Sequence, residues 1–206
     1  METKRRKNNA AAFLATLAFM VLSTYPILAQ SNLKDENEVK AQPLFLGFGS
    51  SINDCGILSA GIELPVLKMF SFYGTAGLGS WGWKIGGGIT YYPQHKPFKS
   101  GYSLAYYSAS GLDNFETKLT VEPNGNEQTV KLNLLRAGTV NLVYSYNLKV
   151  GQSSKFVFYG GYAIPVTENA YTIIDPTVTL TETSIQFLNV MQPGGVIIGV
   201  KYMIGI

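Results

Sequence analysis

Residues 195–206 read GVIIGVKYMIGI. Val196, Ile198, Val200, Tyr202, Ile204 and Ile206 fall on one side of an extended chain, and Ile197, Gly199, Lys201, Met203 and Gly205 on the other. An unbroken apolar face with a period of two is the mark of a β-strand. The opposite face mixes glycine with a charge. That division suits a strand with lipid on one side and a small, partly polar interior on the other.

Working back from this strand, the same alternation recurs. Strand one sets Leu44, Leu46 and Phe48 against Gly47, Gly49 and Ser51. Strand two sets Leu58, Ala60, Ile62 and Leu64 against Ser59, Gly61 and Glu63. Strand four sets Trp83, Ile85, Ile89 and Tyr91 against Lys84, Gly86, Gly88 and Thr90. Strand six sets Val140, Leu142, Tyr144, Tyr146 and Leu148 against Thr139, Asn141, Ser145 and Asn147. Strand seven reads either way, because Phe156, Phe158 and Tyr162 oppose Val157 and Tyr159. Eight strands are expected, over 43–52, 57–66, 69–79, 83–92, 101–121, 128–148, 155–166 and 194–206, with no amphipathic helix from Pro43 onward. Closing eight strands on themselves removes every sheet edge. The expected fold is therefore all-β, an eight-stranded antiparallel up-and-down transmembrane β-barrel over 43–206. A soluble barrel or sandwich would put the apolar face inside.

The start of the chain sets the expected compartment. Lys4, Arg5, Arg6 and Lys7 form a basic head, residues 10–22 an uncharged apolar run, and 23–29 a more polar tail ending at Ala29. This is the three-part plan of a secretory signal peptide over 1–29. The run is short for a membrane-spanning helix, which needs about 20 residues. Residues 30–42 read as a flexible periplasmic tail, polar and rich in charge.

The chain has 16 basic and 13 acidic residues. Setting aside the four basic residues and one acid of the leader leaves twelve of each. The net positive charge thus belongs to the leader, and a nucleic-acid partner, which needs a basic stripe on the folded protein, is not expected. A single cysteine, Cys55, excludes an internal disulfide. With one histidine, His95, it supports no multi-ligand metal site. No cofactor is expected.

An even strand count puts both ends of the barrel on one side, the periplasm in a bacterial outer membrane. The turns on that side hold Lys68, His95, Lys96, Lys99, Lys149 and Lys155 without an acid. The outer loops hold Asp54, Asp113, Glu116, Glu122, Glu127, Glu168, Asp175 and Glu182, with Lys118 the basic exception. The longest loop, about 167–193, falls outside. Tyr91, Tyr92, Tyr102, Tyr144, Tyr146 and Phe156, with Trp81 and Trp83 at the other end, fit aromatic girdles at the two interfaces. Ordinary aromatic enrichment of sheets is the plainer account.

The leader, the alternating strands, the long outer loops and the final strand together resemble small outer-membrane barrels of the OmpA/OmpX type. The chain is also similar to the "outer membrane protein beta-barrel" proteins of Bacteroidetes. The likeness covers nearly all of 43–206 and is carried by Gly61-Ile62-Glu63-Leu64-Pro65, Gly86-Gly87-Gly88-Ile89-Thr90-Tyr91-Tyr92 and Gln192-Pro193-Gly194-Gly195. Many such barrels end in an aromatic residue that the assembly machinery recognises, whereas this chain ends in Ile206. The resemblance implies a monomer in the bacterial outer membrane, whose partners are outer-membrane lipid and the barrel assembly machinery.

Candidate sites follow from the inward face. Glu63, Lys84 and Lys201 fall there, and unpaired charge inside a narrow barrel is costly. They are expected to form a lumen ionic network, with Glu63 and Lys201 paired across strand one. A polar conduit is the other reading, but eight strands leave an interior just filled by side chains. Arg136, near the outer end of strand six, is a candidate lipid-headgroup contact, or a rim residue paired with a loop acid. Strands five and six exceed the roughly 9–11 residues needed to cross lipid. They imply a hairpin above the membrane, tipped at Glu122, Pro123, Asn124, Gly125 and Asn126, whose edge offers a surface for β-augmentation.

Gly74, Gly77 and Gly79 imitate a phosphate loop only superficially, because no helix follows them. They read as small residues in a crowded wall. Nothing converges on His95 to suggest catalysis. The reading is a non-enzymatic barrel with a structural, stress-related or adhesive role through its outer loops. A secreted lipocalin-like barrel binding an apolar ligand is the second reading, and a lipid-modifying outer-membrane enzyme the third.

Overall fold

The computed structural model describes residues 44–93, 99–123, 125–168 and 170–206. The leader, the 30–42 tail, the turn holding His95, and Asn124 lie outside the described residues. The elements are β1 (Phe45–Ile52), β2 (Leu58–Leu67), β3 (Phe70–Gly79), β4 (Gly82–Tyr91), β5 (Ser100–Ala109), β6 (Leu112–Val121), β7 (Asn126–Leu134), β8 (Ala137–Val150), β9 (Ser154–Pro165), β10 (Tyr171–Ile173), α1 (Glu182–Met191) and β11 (Gly195–Gly205).

Eight of these strands close an antiparallel up-and-down barrel in the order β1-β11-β9-β8-β5-β4-β3-β2. The final strand closes it, running antiparallel to β1 from Phe45↔Gly205 to Ile52↔Ile198 and to β9 on its other side. The register is the one the alternation predicts. Leu46, Phe48, Ile62, Ile85, Ile89, Leu142, Tyr144, Leu148, Val196 and Ile198 point outward and are exposed, while Phe45, Ile197 and Met203 are buried inside. The strands that read ambiguously now have faces. In β9, Phe156, Phe158 and Tyr162 point out and Val157 and Tyr159 point in. Phe72 and Leu78 of β3, and Tyr102, Leu104 and Tyr106 of β5, also point out.

The two long predicted strands are each broken. Strand five divides into β5 and β6 at Ser110-Gly111, and strand six into β7 and β8 at Leu135-Arg136. Gly111 has φ +77°, and a Cβ there would meet the Leu134 carbonyl oxygen at 2.1 Å, so the crossing depends on glycine. Beyond the breaks the hairpin leaves the barrel and forms a separate three-stranded sheet, β10-β7-β6.

The long connection after β9 is not an unstructured loop. It supplies β10, which pairs with β7 from Tyr171↔Leu134 to Ile173↔Leu132, and the helix α1. This corrects the expectation of no helix. Thr181 caps α1 by accepting from the Ser184 N–H, and Ile185, Leu188 and Met191 turn inward. The helix is one of ten residues, and exposed Phe187 and Val190 blur its apolar stripe.

Sheet and helix enclose a core of their own: Trp81, Leu119, Val121, Val130, Leu132, Leu134, Leu180 and Leu188. We call this unit the cap. It stands at the barrel end that carries the β1–β2 and β3–β4 turns, opposite Leu44 and Ile206.

A candidate site in the lumen and the cap

The inward faces of the barrel strands are polar, so the lumen collects hydroxyls, amides and charges. Two ion pairs organise it. At the end opposite the cap, Lys155 Nζ lies 2.8 Å from Glu63 Oε2. Glu63 Oε1 also accepts from Ser71 Oγ (3.0 Å) and Tyr92 OH (2.5 Å). The Lys155 ammonium sits over the Phe45 ring at 4.3 Å from its centroid and 5.6 Å from that of Tyr92. Lys155 is wholly buried and Glu63 is 7% exposed. Burial of this depth is tolerable because every charge has a partner and further hydrogen bonds.

Nearer the cap, Lys201 Nζ lies 3.3 Å from Asp54 Oδ2, and Asn141 Nδ2 donates to Asp54 Oδ1 at 3.0 Å. The Lys201 ammonium is 4.5 Å from the centroid of the Tyr159 ring and 5.6 Å from that of Tyr73. Lys84 is buried and lies within electrostatic reach of the same Asp54 carboxylate.

All three predicted lumen residues, Glu63, Lys84 and Lys201, are therefore inward and buried or nearly so. The expected Glu63–Lys201 pair is not formed. Each takes another partner, Lys155 and Asp54, and both partners were expected at the exterior. By the strand count Lys155 belongs to a turn, but it shares the parity of Val157 and Tyr159, so the first residues of β9 point it inside. By the same count Asp54 belongs to an outer loop. Instead the 53–56 turn folds down into the barrel mouth, leaving Asp54 and Cys55 buried. Asn53 (φ +59°) and Gly56 (φ +116°) permit that inward bend. Ser51 N donates to the Gly56 carbonyl oxygen (2.9 Å) and Asn53 Nδ2 to that of Val196 (3.0 Å), holding the turn to β11. Cys55 then packs with Ala105 and Tyr107. Cys55 is thus a free thiol buried in an internal turn.

Two aromatics expected in the girdles are also internal. Tyr92 serves Glu63, and Trp81 is buried in the cap core, its Nε1–H donating to the Leu135 carbonyl oxygen at 2.9 Å. Of the aromatics expected in the girdles, Tyr102, Tyr144, Tyr146 and Phe156 are outward at the end away from the cap, and Trp83 is outward at the cap end. Phe70–Tyr91, Tyr102–Tyr144 and Phe156–Tyr202 have centroids 5.3, 5.3 and 4.8 Å apart.

The glycines of the inner wall make room for tyrosines. A Cβ at Gly86 would lie 2.4 Å from the Tyr107 ring, and one at Gly199 would lie 2.4 Å from that of Tyr159. Between the two ion pairs a cavity of about 60 Å³ remains, lined in part by Glu63, Lys201, Asn147 and Tyr159. That is space for about four water molecules, at roughly 15 Å³ each. The Asn147 Oδ1 and Tyr159 hydroxyl, both buried, have no protein partner, which suits such water.

Arg136 lies in the β7–β8 break, exposed, and donates from Nε to Ser108 Oγ at 2.9 Å. Its polar partner is a barrel hydroxyl rather than a loop acid. The hairpin tip holds Glu122, Pro123, Gly125 and Asn126, all exposed where described. The hairpin edges are partly taken. β10 covers β7 at Leu132–Leu134. On β6, Glu122 N bonds the Thr179 carbonyl oxygen and Thr181 N that of Thr120. The remaining edges carry Lys118, Glu127 and the exposed Glu116–Lys131 pair at 2.9 Å. Charged edges of this kind discourage strand addition.

No model of a known protein family matches the chain, and no curated protein matches it.

Proposed function

We propose that this chain is an integral outer-membrane β-barrel without catalytic activity, of the OmpA/OmpX kind, whose lumen is filled by side chains and whose cap faces outward as its structural or adhesive surface. The observation that carries this reading is the inversion of the barrel. Large apolar side chains cover the outside, and ion pairs, hydroxyls and amides fill the inside. In water that arrangement would expose a continuous apolar belt far larger than a soluble monomer shows. In lipid it matches the solvent on both faces. The two described ends of the barrel, Leu44 and Ile206, lie opposite the cap, which supports an outward cap if those ends are periplasmic. Its partners are then membrane lipid and the assembly machinery, and it works as a monomer.

A lipocalin-like carrier would need an apolar pocket of a few hundred Å³. A cavity of about 60 Å³ between two ion pairs fits that reading poorly. A lumen occupied by two ion pairs and inward tyrosines also favours a wall-and-surface protein over a pore.

Cell fractionation with an alkaline wash tests the proposal. The expected result is retention in the outer-membrane fraction, a heat-modifiable gel mobility, and no stepwise conductance in planar bilayers. Recovery in the aqueous soluble fraction would overturn it. Deleting 113–127 is not a clean test of the binding surface, because it removes Leu119 and Val121 from the cap core.

A further inference from the structure

We infer that α1 is an interfacial anchor, laying Phe187 and Val190 into the headgroup layer of the membrane that surrounds the barrel. The inference rests on the outer-membrane reading.

The helix has two ends at different heights. At its start, Thr181 N and Oγ1 both bond the Thr120 carbonyl oxygen at 3.1 Å, close to the hairpin tip. At its end, Gln192 Nε2 bonds the Thr167 carbonyl oxygen at 2.9 Å, and Thr167 Oγ1 accepts from Gly138 N at the top of β8. So α1 descends from the hairpin tip to the barrel rim. Ser184, Ile185, Leu188 and Met191 face the cap core. The other face shows Glu182, Thr183, Gln186, Phe187, Asn189 and Val190.

Polarity is graded along this outer face. Its one charge, Glu182, is at the far end. Val190, 81% exposed, is at the rim end, with Phe187, 48% exposed, one turn above. Measured from Gln192, helix rise puts Val190 about 3 Å, Phe187 about 7.5 Å and Glu182 about 15 Å up the helix. The headgroup layer is roughly 5–8 Å deep on each side of the hydrocarbon. The apolar pair falls within that depth and the charge above it.

The ridge also continues an existing surface. Val166 at the end of β9, Val196 at the start of β11, and the paired Ile52 and Ile198 are outward and exposed at the same rim. A monolayer meeting those residues meets Val190 next. The helix does not lie flat in the interface; the apolar side chains of its rim end alone reach the headgroup layer, where burying them from water is favourable. It would hold the cap against the leaflet on the β11 side, while Gly111 and the Leu135-Arg136 break join it to the barrel on the β5–β8 side.

Depth-resolved fluorescence quenching tests this. The protein is refolded into phosphatidylcholine vesicles with or without bromine on the acyl chains. Two indoles occur naturally: Trp83, outward on the barrel, and Trp81, inside the cap core. Comparing wild type with Trp83→Phe gives the barrel indole's signal. Adding Phe187→Trp on the Trp83→Phe background gives that of the helix. Heat-modifiable mobility checks that each variant folds. The expected result is that bromolipid quenches both, and that the helix indole responds most to bromines nearest the headgroup. Quenching of Trp83 with a helix indole that emits as in water, untouched by bromolipid, would overturn the anchor and leave the membrane reading intact. A blue-shifted helix indole that depends on protein concentration and ignores bromolipid would mean a second copy covers the ridge, and would also overturn it. If neither indole is quenched, the membrane reading fails and takes the anchor with it.

Discussion

Leu132 and Leu142 lie on one stretch of chain, ten residues apart, and share the same parity. Leu132 is fully buried in the cap core; Leu142 is 51% exposed on the outer wall of the barrel. The apolar face of β7 and β8 scarcely changes between them. What changes is its surroundings, at the Leu135-Arg136 break. The cap is built as a soluble protein is, with leucine and valine inside. The barrel is built the other way, with leucine, phenylalanine and tyrosine outside and charge within. A period-two pattern thus fixes which residues share a face, but the surrounding medium decides which face is buried. One chain uses both solutions, and glycine or a short break separates them.

The largest effect should come from the barrel's inverted interior. Lys155→Met leaves Glu63 as a buried carboxylate without its ammonium. Such a change should cost about 3–5 kcal/mol, read by urea unfolding of the protein in vesicles. The double variant Glu63→Gln with Lys155→Met should recover most of the loss, since no charge is then stranded. A single variant as stable as wild type would mean that the ion pair does not organise the lumen.

The cap should respond as an ordinary core does. Leu188 is fully buried there. Leu188→Ala should cost the cap about 2–5 kcal/mol by loss of packing and the cavity left behind. Amide exchange should speed up in β6, β7, β10 and α1, while β8 and β9 keep their protection. Equal loss in the barrel would show the two cores to be one cooperative unit and would blunt the contrast between them.

The smallest effect is at the cap surface. The Thr177 hydroxyl (2.7 Å) and then its N–H (3.0 Å) donate to Asp175 Oδ1, and together they hold this exposed carboxyl below its usual range. Because the folded value is the lower one, the stabilisation is present above the ordinary carboxylate value and fades as pH falls through the folded value. Thr177→Ala should raise the Asp175 value toward an ordinary aspartate without removing the backbone donor. Carboxyl NMR titration reads this, and the barrel signals should not move.

Much of the barrel was legible in the sequence, because a small-residue or polar inner face and an apolar outer face repeat along nearly every strand. The inward placement of Glu63, Lys84 and Lys201 follows from parity, and closure of the sheet from the cost of leaving open edges. The partners of these residues do not. Asp54 sits in a turn, and a turn that folds inward has the same composition as one that folds outward; only the Asn53-to-Gly56 spacing hints at the bend. Lys155 was legible in principle, since choosing Phe156 and Phe158 as outward makes it inward. Strand seven's aromatics on both faces hid that choice. The cap reads as a hairpin and a loop because its apolar residues keep the barrel's alternation, and because its core draws Trp81 from the β3–β4 turn and Leu180 and Leu188 from the connection after β9.

If lipid faces the barrel's outer wall, a single charge placed there should be costly. Leu142 sits near mid-height on β8, opposite the exposed Leu104 of β5. Arginine near the midplane of a lipid-facing wall costs about 2–4 kcal/mol. For Leu142→Arg refolded in vesicles, the account predicts a loss of that size in unfolding free energy. Unchanged stability would place the wall in water and contradict it.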